Sequence, residues 1–156
     1  MLKLAILLTL FGTSWACSCF PMSNDKKFCE ADFVMKIKVK SDLIIPGGRN
    51  AQNFDAYYRI RAGRRPWKML TTNTPIKLRR LYTGSNSALC GVTSLRKGTM
   101  YLIAGNINPS SGRLQINSCS SFVRTKPFQS YRYWKRNPPN CDNVSSSTTT
   151  PNFFFG

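Results

Sequence analysis

Alternation of apolar and polar residues dominates the middle of the chain. From Asp32 to Ser41, Phe33, Met35, Ile37 and Val39 fall on one side of an extended segment and Val34, Lys36, Lys38 and Lys40 on the other. That is the period of a half-buried strand. Phe54–Ala62 repeats it, with Ala56, Tyr58 and Ile60 opposite Tyr57, Arg59 and Arg61. Ile76–Tyr82, Thr99–Ala104 and Arg113–Ser118 read as further strands, with Pro46-Gly47-Gly48 marking a loop and Pro109-Ser110-Ser111-Gly112 a turn. Five short strands separated by turn signals predict a mainly β protein, a small closed or partly closed barrel. Helical signals are weaker. Ser23–Ala31 suits a short helix capped by Ser23 or Asn24, and Ser120–Arg136 a broken one interrupted at Pro127.

The two ends depart from this pattern. Met1–Ala16 carries a positive start at Lys3, an apolar run over Leu4–Phe11 and a small-residue ending, Ser14-Trp15-Ala16. These are the marks of a secretory signal peptide, and the run is too short to span a bilayer. Cleavage after Ala16 would make Cys17 the first residue. A leading cysteine is also the lipidation site of bacterial lipoproteins, but their signals carry an aliphatic residue where this chain has Ser14. Beyond Cys141, residues 142–156 are rich in Ser and Thr and cannot bury a core, so a disordered tail is expected, with Asn143-Val144-Ser145 as an N-glycosylation sequon. Residues 17–141 form the remaining unit.

Composition narrows the chemistry. The 156 residues hold 23 Lys and Arg against 6 Asp and Glu, and no His, for a formal charge of +17. Lys3 is the one charged residue in the signal, so processing would leave +16. Without imidazole there is no Ser-His-Asp or Cys-His nucleophile pair and no His-containing zinc site. The six carboxylates do not form a motif for acid/base work. An enzyme is therefore not expected, and no cofactor of its own. The basic residues Lys36/Lys38/Lys40, Arg59/Arg61/Arg64/Arg65, Lys77/Arg79/Arg80 and Arg132/Lys135/Arg136 are interleaved with Tyr57, Trp67, Tyr131 and Trp134. Such a mixture could bind single-stranded nucleic acid, but outside the cell sulfated matrix polysaccharides are the expected polyanion, and nucleic acid is not expected as a partner.

Six cysteines stand at 17, 19, 29, 90, 119 and 141. In an oxidising compartment they imply three disulfides, for which fifteen pairings are formally possible. Bridges between the early and late cysteines would close loops of roughly a hundred residues, each contributing ~4–5 kcal/mol in a chain-entropy account. The most specific feature is Cys17-Ser18-Cys19-Phe20-Pro21. A free α-amine has a pKa of about 8 and is partly neutral at physiological pH. With its own carbonyl oxygen it can close a five-membered chelate on a zinc ion with an open position, displacing the water that a metalloprotease uses. Two disulfides would hold that chelate in one geometry and remove its ordering cost. The plainer reading is that Cys-x-Cys is only a staple.

These residues resemble the tissue inhibitors of metalloproteinases, specifically their amino-terminal, netrin-like inhibitory domain. The resemblance rests on Cys17-Ser18-Cys19, Phe28-Cys29-x-Ala31-Asp32, Val34-Met35-Lys36-Ile37-Lys38, Tyr82-Thr83, Ser87-Ala88-Leu89-Cys90-Gly91-Val92, Tyr101-Leu102-Ile103-Ala104-Gly105, and Cys119 followed by Phe122. It implies a five-stranded Greek-key barrel of the oligonucleotide/oligosaccharide-binding type with flanking short helices, and the pairing Cys17–Cys90, Cys19–Cys119 and Cys29–Cys141. It also implies a secreted, extracellular inhibitor forming a one-to-one complex with zinc metalloendopeptidases. Cys17 would chelate the target's zinc through its α-amine and carbonyl, and Ser18 would enter the pocket beside it. Cys19, Phe20 and Pro21 would continue along the cleft, and Ser87, Ala88 and Leu89 would fill its other side. The alternative is a non-inhibitory netrin-like module that binds matrix polyanions such as heparan sulfate.

Overall fold

A computed structural model describes residues 17–48, 55–125, 127–137 and 139–142. The expected signal peptide, Asn143 and the Ser/Thr-rich tail from residue 143 lie outside the described residues. Among the described residues there are seven strands: β1 (Phe33–Val39), β2 (Ala56–Ala62), β3 (Lys68–Met69), β4 (Lys77–Thr83), β5 (Met100–Asn108), β6 (Arg113–Gln115) and β7 (Phe122–Arg124). Helix α1 spans Asn24–Glu30 and α2 spans Pro127–Arg136. The sheet order is β3-β1-β2-β4-β6-β5-β7, and an additional β1–β5 pairing closes β1, β2, β4, β6 and β5 into a five-stranded barrel. The β4–β6 pair is parallel and the other pairs are antiparallel. The mainly β architecture, the closed barrel, the short helices and the three disulfides agree with the sequence expectation.

The alternation in β1 and β2 has the expected consequence. Phe33, Met35, Ile37 and Val39 enter the barrel, where they meet Tyr58, Ile60, Leu81, Ile103 and Leu114. Tyr58 is fully buried, and its hydroxyl donates to the Val92 carbonyl at 3.0 Å. Burial pushes its phenol up to about 12.

The opposite face of β1 is not wholly polar. Val34, Leu102 and Ala104 turn outward from the barrel into a second apolar cluster with Phe28, Ala31, Phe122 and Trp134. Helix α1 supplies Phe28, and its first turn is secured by Ser23, whose side chain accepts from the Lys26 N–H at 3.1 Å. Trp134 of α2 packs its ring 5.3 Å from Phe28 and 4.8 Å from Phe122. These tryptophan contacts correct the sequence reading of a basic surface interleaved with Trp67 and Trp134. Trp134 is only 5% exposed, and Trp67 packs edge-on against Phe28 at 6.0 Å. The hydrophobic effect draws both indoles into a helix–sheet interface.

The expectation for Ser120–Arg136 also changes. Phe122–Arg124 is a strand paired with Leu102–Ala104, and the helix begins at Pro127. Proline suits a helix's first position because its missing N–H would have no partner there. Strand β5 runs on past Ala104 through Gly105 to Asn108. A side chain at Gly105 would collide with the Gln115 carbonyl and come within 2.9 Å of the Phe33 ring, so glycine is required where β5 and β6 meet. The predicted fifth strand is shorter than expected, ending at Gln115.

Candidate functional site

Three segments far apart in sequence converge at one end of the barrel: residues 17–21, 87–91 and 117–120. Disulfides provide the connection. Cys17 is bonded to Cys90 with Cα atoms 5.2 Å apart, and Cys19 to Cys119 at 5.1 Å. Cys29–Cys141 fastens the end of α1 to the chain beyond α2, on the second apolar cluster. The first two bridges stack, with the sulfurs of Cys17 and Cys119 3.5 Å apart. All four sulfurs lie within 4.8 Å of one another, a spacing suited to a metal tetrathiolate. Here they are consumed in disulfides, and it is the thiolate that ligates metals.

Each segment has its own local support. Strand β4 ends at Thr83, whose hydroxyl accepts from the Val92 N–H at 2.8 Å. A 3-10 turn over Ser87–Leu89 follows, capped by Asn86, whose side-chain oxygen accepts from the Leu89 N–H at 3.1 Å. Cys90 then takes a left-handed conformation with φ 53°, reversing the chain so that Gly91 donates to the Asn86 carbonyl at 2.9 Å. A side chain on Gly91 would strike the Gly84 carbonyl, so two backbone segments touch there. On the third segment, Asn117 accepts from the N–H groups of Cys119 and Ser120 at 2.9 and 2.7 Å. The Ser118 N–H donates to the Cys90 carbonyl at 2.9 Å, tying the second segment to the third. Lys27 of α1 reaches the carbonyls of Ser118 and Ser121.

The result is a ridge with an anchored base and an exposed crest. Ser18, Cys19, Phe20, Pro21, Ser87 and Ala88 are exposed, whereas Cys17 and Leu89 are half-buried. Phe20 is 92% exposed, so its large apolar ring has no place in the protein's own core. Sequence reading identifies the residues of the crest but assigns no supporting role to those beneath it: Thr83 and Gly91 enter only as part of the resemblance, and Gly84, Asn86 and Asn117 not at all. Asn86 ahead of Ser87 carries an N-cap signal. Asn117 carries a comparable local signal as acceptor of the Cys119 and Ser120 N–H groups, whereas Thr83, Gly84 and Gly91 matter through contacts across the loop that they enclose.

Asp32, one of the six carboxylates, is structural. Its carboxylate accepts from the Ile107 N–H at 2.8 Å and links the start of β1 to β5.

Comparison with known proteins agrees with this architecture. The profile of the tissue inhibitor of metalloproteinase family matches residues 15–136. The chain is 33% identical to metalloproteinase inhibitor 2 of Homo sapiens over 124 residues, covering 78% of this chain and 54% of the relative. It is 30% identical to metalloproteinase inhibitor 4 of Mus musculus over 122 residues, covering 77% and 53%. With a tissue inhibitor of metalloproteinase of Drosophila melanogaster it shares 31% identity over 109 residues, 69% of this chain and 45% of the relative. The chain thus spans about half the length of the curated relatives it matches. From the family match and its extent, this chain belongs to the tissue inhibitor of metalloproteinase family.

Proposed function

We propose that the chain, after cleavage behind Ala16, is a secreted inhibitor that occludes the active site of zinc metalloendopeptidases in a one-to-one complex. The observation that carries this reading is the ridge. Two disulfides hold Cys17–Pro21 beside Ser87–Leu89 at an exposed end of the barrel, with Cys17 at its head. A preformed ridge loses little conformational freedom on entering a cleft.

In this reading the zinc is the protease's own, and it supplies the open position that a catalytic water would otherwise occupy. The α-amine and carbonyl of Cys17 take that position. Ser18, one residue on, presents a small side chain to the pocket beside the metal. Cys19, Phe20 and Pro21 follow the cleft in extended form, and the Phe20 ring loses its exposure to water there. Ser87, Ala88 and Leu89 cover the other side, held there by the Cys17–Cys90 bridge. The inhibitor brings no metal and no catalytic group.

The test is titration of secreted, amino-terminally sequenced protein against a panel of matrix-type and disintegrin-type metalloproteases. Protein beginning at Cys17 should abolish activity at one equivalent for at least one enzyme. Correctly processed, folded protein that inhibits none of them would overturn the proposal.

A further inference from the structure

Between β2 and β3 the chain leaves the sheet and returns to the same edge of β1. It is held at two points: the Gly63 N–H donates to the Lys36 carbonyl and the Trp67 N–H to the Val34 carbonyl, both at 2.7 Å. Between those points β1 advances by two residues and the facing chain by four, so the surplus is pushed out of the ladder as a bulge. Its residues are Arg64, Arg65 and Pro66, all exposed. Arg61, three positions before Arg64, is exposed near the end of β2. Lys68 and Met69 then resume the pairing as β3, a strand of only two residues. An extruded segment flanked by so short a strand opens at small cost, and exposed loop tips are where chains are nicked.

We propose that the Arg64–Arg65 peptide bond is a processing site for a serine endoprotease that cuts behind arginine and whose specificity pockets carry carboxylates. Such an enzyme takes its substrate as an extended strand laid along its cleft. Arg64 fills the acidic pocket ahead of the scissile bond, and Arg61 a second one three residues further back, each through charge-assisted hydrogen bonds. Pro66 selects the bond. The Arg65–Pro66 linkage is a tertiary amide with no N–H, and the ring on its leaving side obstructs cleavage there. The same ring biases Arg65 towards the extended backbone that a cleft accepts. The reaction is hydrolysis: the C–N bond between Arg64 and Arg65 breaks, and water gives its hydroxyl to the Arg64 carbonyl carbon and its remaining proton to the Arg65 nitrogen.

Other adjacent cations are protected by the elements that hold them. Lys26-Lys27 lies within α1 and Arg79-Arg80 within β4. Arg96-Lys97 is exposed but belongs to a tight turn: Gly98 has φ 83°, its N–H donates to the Val39 carbonyl at 2.9 Å, and the Thr99 N–H donates to the Arg96 carbonyl at 3.2 Å. A left-handed residue directly behind Lys97 does not lie extended in a cleft.

The cut leaves the protein in one piece. Cys17, Cys19 and Cys29 precede it, and their partners Cys90, Cys119 and Cys141 follow it, so all three disulfides tie one fragment to the other. The ridge is also remote from it. Ala56 pairs with Thr83 beside the ridge, and Ala62 lies six residues further along β2, about 20 Å of extended strand. The product is a two-chain form with a new amino terminus at Arg65 and the ridge unchanged. The inference stands independently of the inhibitory reading, since its readout is the cleavage of one bond.

The experiment treats the folded, secreted full chain and its Arg64→Gln and Arg61→Gln variants with limiting amounts of a subtilisin-like endoprotease specific for paired basic residues, and separately with trypsin. Products are followed by intact mass, with and without reductant, and by amino-terminal sequencing. The parent should be cut first between Arg64 and Arg65, at least tenfold faster than at any other bond. Without reductant its mass should rise by one water, and with reductant it should separate into two fragments, the second beginning at Arg65. Arg64→Gln should leave the segment uncut by either enzyme. Arg61→Gln should slow the subtilisin-like enzyme at least tenfold and trypsin less than threefold. Both variants should melt with the parent, since both side chains are exposed. A folded parent that survives enzyme concentrations sufficient to cleave a linear peptide of residues 61–68 would overturn the inference. So would a first cut at Lys97–Gly98 or in any other segment.

Discussion

One added residue distinguishes zinc chelation from mere occupation of a cleft. Placing a single alanine ahead of Cys17 converts its α-amine into a secondary amide, whose nitrogen lone pair is delocalised into the carbonyl and not available to a metal, and moves the new amine by about 3.8 Å along the chain. A zinc–nitrogen bond is about 2.0–2.1 Å long, so the displaced amine falls outside the coordination sphere. The chain cannot slip back by one residue to compensate. Cys17 and Cys19 are bonded to Cys90 and Cys119, with Cα separations of 5.2 and 5.1 Å, and the partners of both bridges are held by Asn86 and Asn117. Losing the chelate while adding a clash at the metal should weaken inhibition at least about a thousandfold, equivalent to ~4 kcal/mol. The barrel should be unaffected, because Cys17 lies ahead of the first described element, α1, and outside both apolar clusters. The assay is an inhibition titration of an active-site-calibrated metalloprotease, with a circular dichroism melt on the same samples. An extended variant that folds and inhibits within threefold of the parent would refute the chelation mechanism and leave the ridge as a steric plug.

Other expectations follow from particular contacts. Gly105→Ala should lose about 2–3 kcal/mol in urea unfolding with disulfides intact, because the added methyl meets the Gln115 carbonyl and the Phe33 ring; a loss under about 0.5 kcal/mol would mean that β5 and β6 can separate freely. Asn86→Ala removes the cap of the 3-10 turn and should cost about 1 kcal/mol of stability. It should also raise the inhibition constant several-fold with no change in the amino terminus, and an unchanged constant would show that the crest at Ser87–Leu89 needs no support from below. Tyr58 predicts an alkaline limit to stability. Burial raises its folded pKa to about 12, so its contribution is fully present below pH 10 and is lost as pH rises from about 10 towards 12. The loss across that window is on the order of 2–3 kcal/mol, and Tyr58→Phe should flatten that part of the stability profile measured by denaturant melts.

Legibility varies with element length and with what covers each face. Strands β1 and β2 are readable because seven residues give several turns of the alternation and one face of each enters the core. Strands β3 and β7, of two and three residues, carry too few positions to show a period. They exist because Phe33 and Val34 of β1 and Leu102–Ala104 of β5 offer unpaired edges. The pattern places β4 within one residue, yet Lys77–Arg80 are all exposed in succession, and a register shift lies between Lys77 and Leu81 in its pairing with β6. Trp67 and Trp134 look like surface aromatics in sequence because their neighbours along the chain are basic. Their neighbours in space are Phe28 and Phe122.

By itself the sequence determined the local conformations that depend on adjacent residues: the alternating strands, the Ser23 cap and the turn before Gly112. It also determined the position of a cysteine directly after a segment with the pattern of a cleavable signal, the point on which the inhibitory proposal turns. Tertiary structure decided which distant residues meet. One of the fifteen cysteine pairings is realised, Val34 is covered by helices while Lys38 on the same side is not, and Arg59 faces Arg80. The physical reason is that periodicity reports how a residue is oriented along its own strand, whereas pairing, coverage and charge opposition depend on the register of segments that chain order does not place side by side.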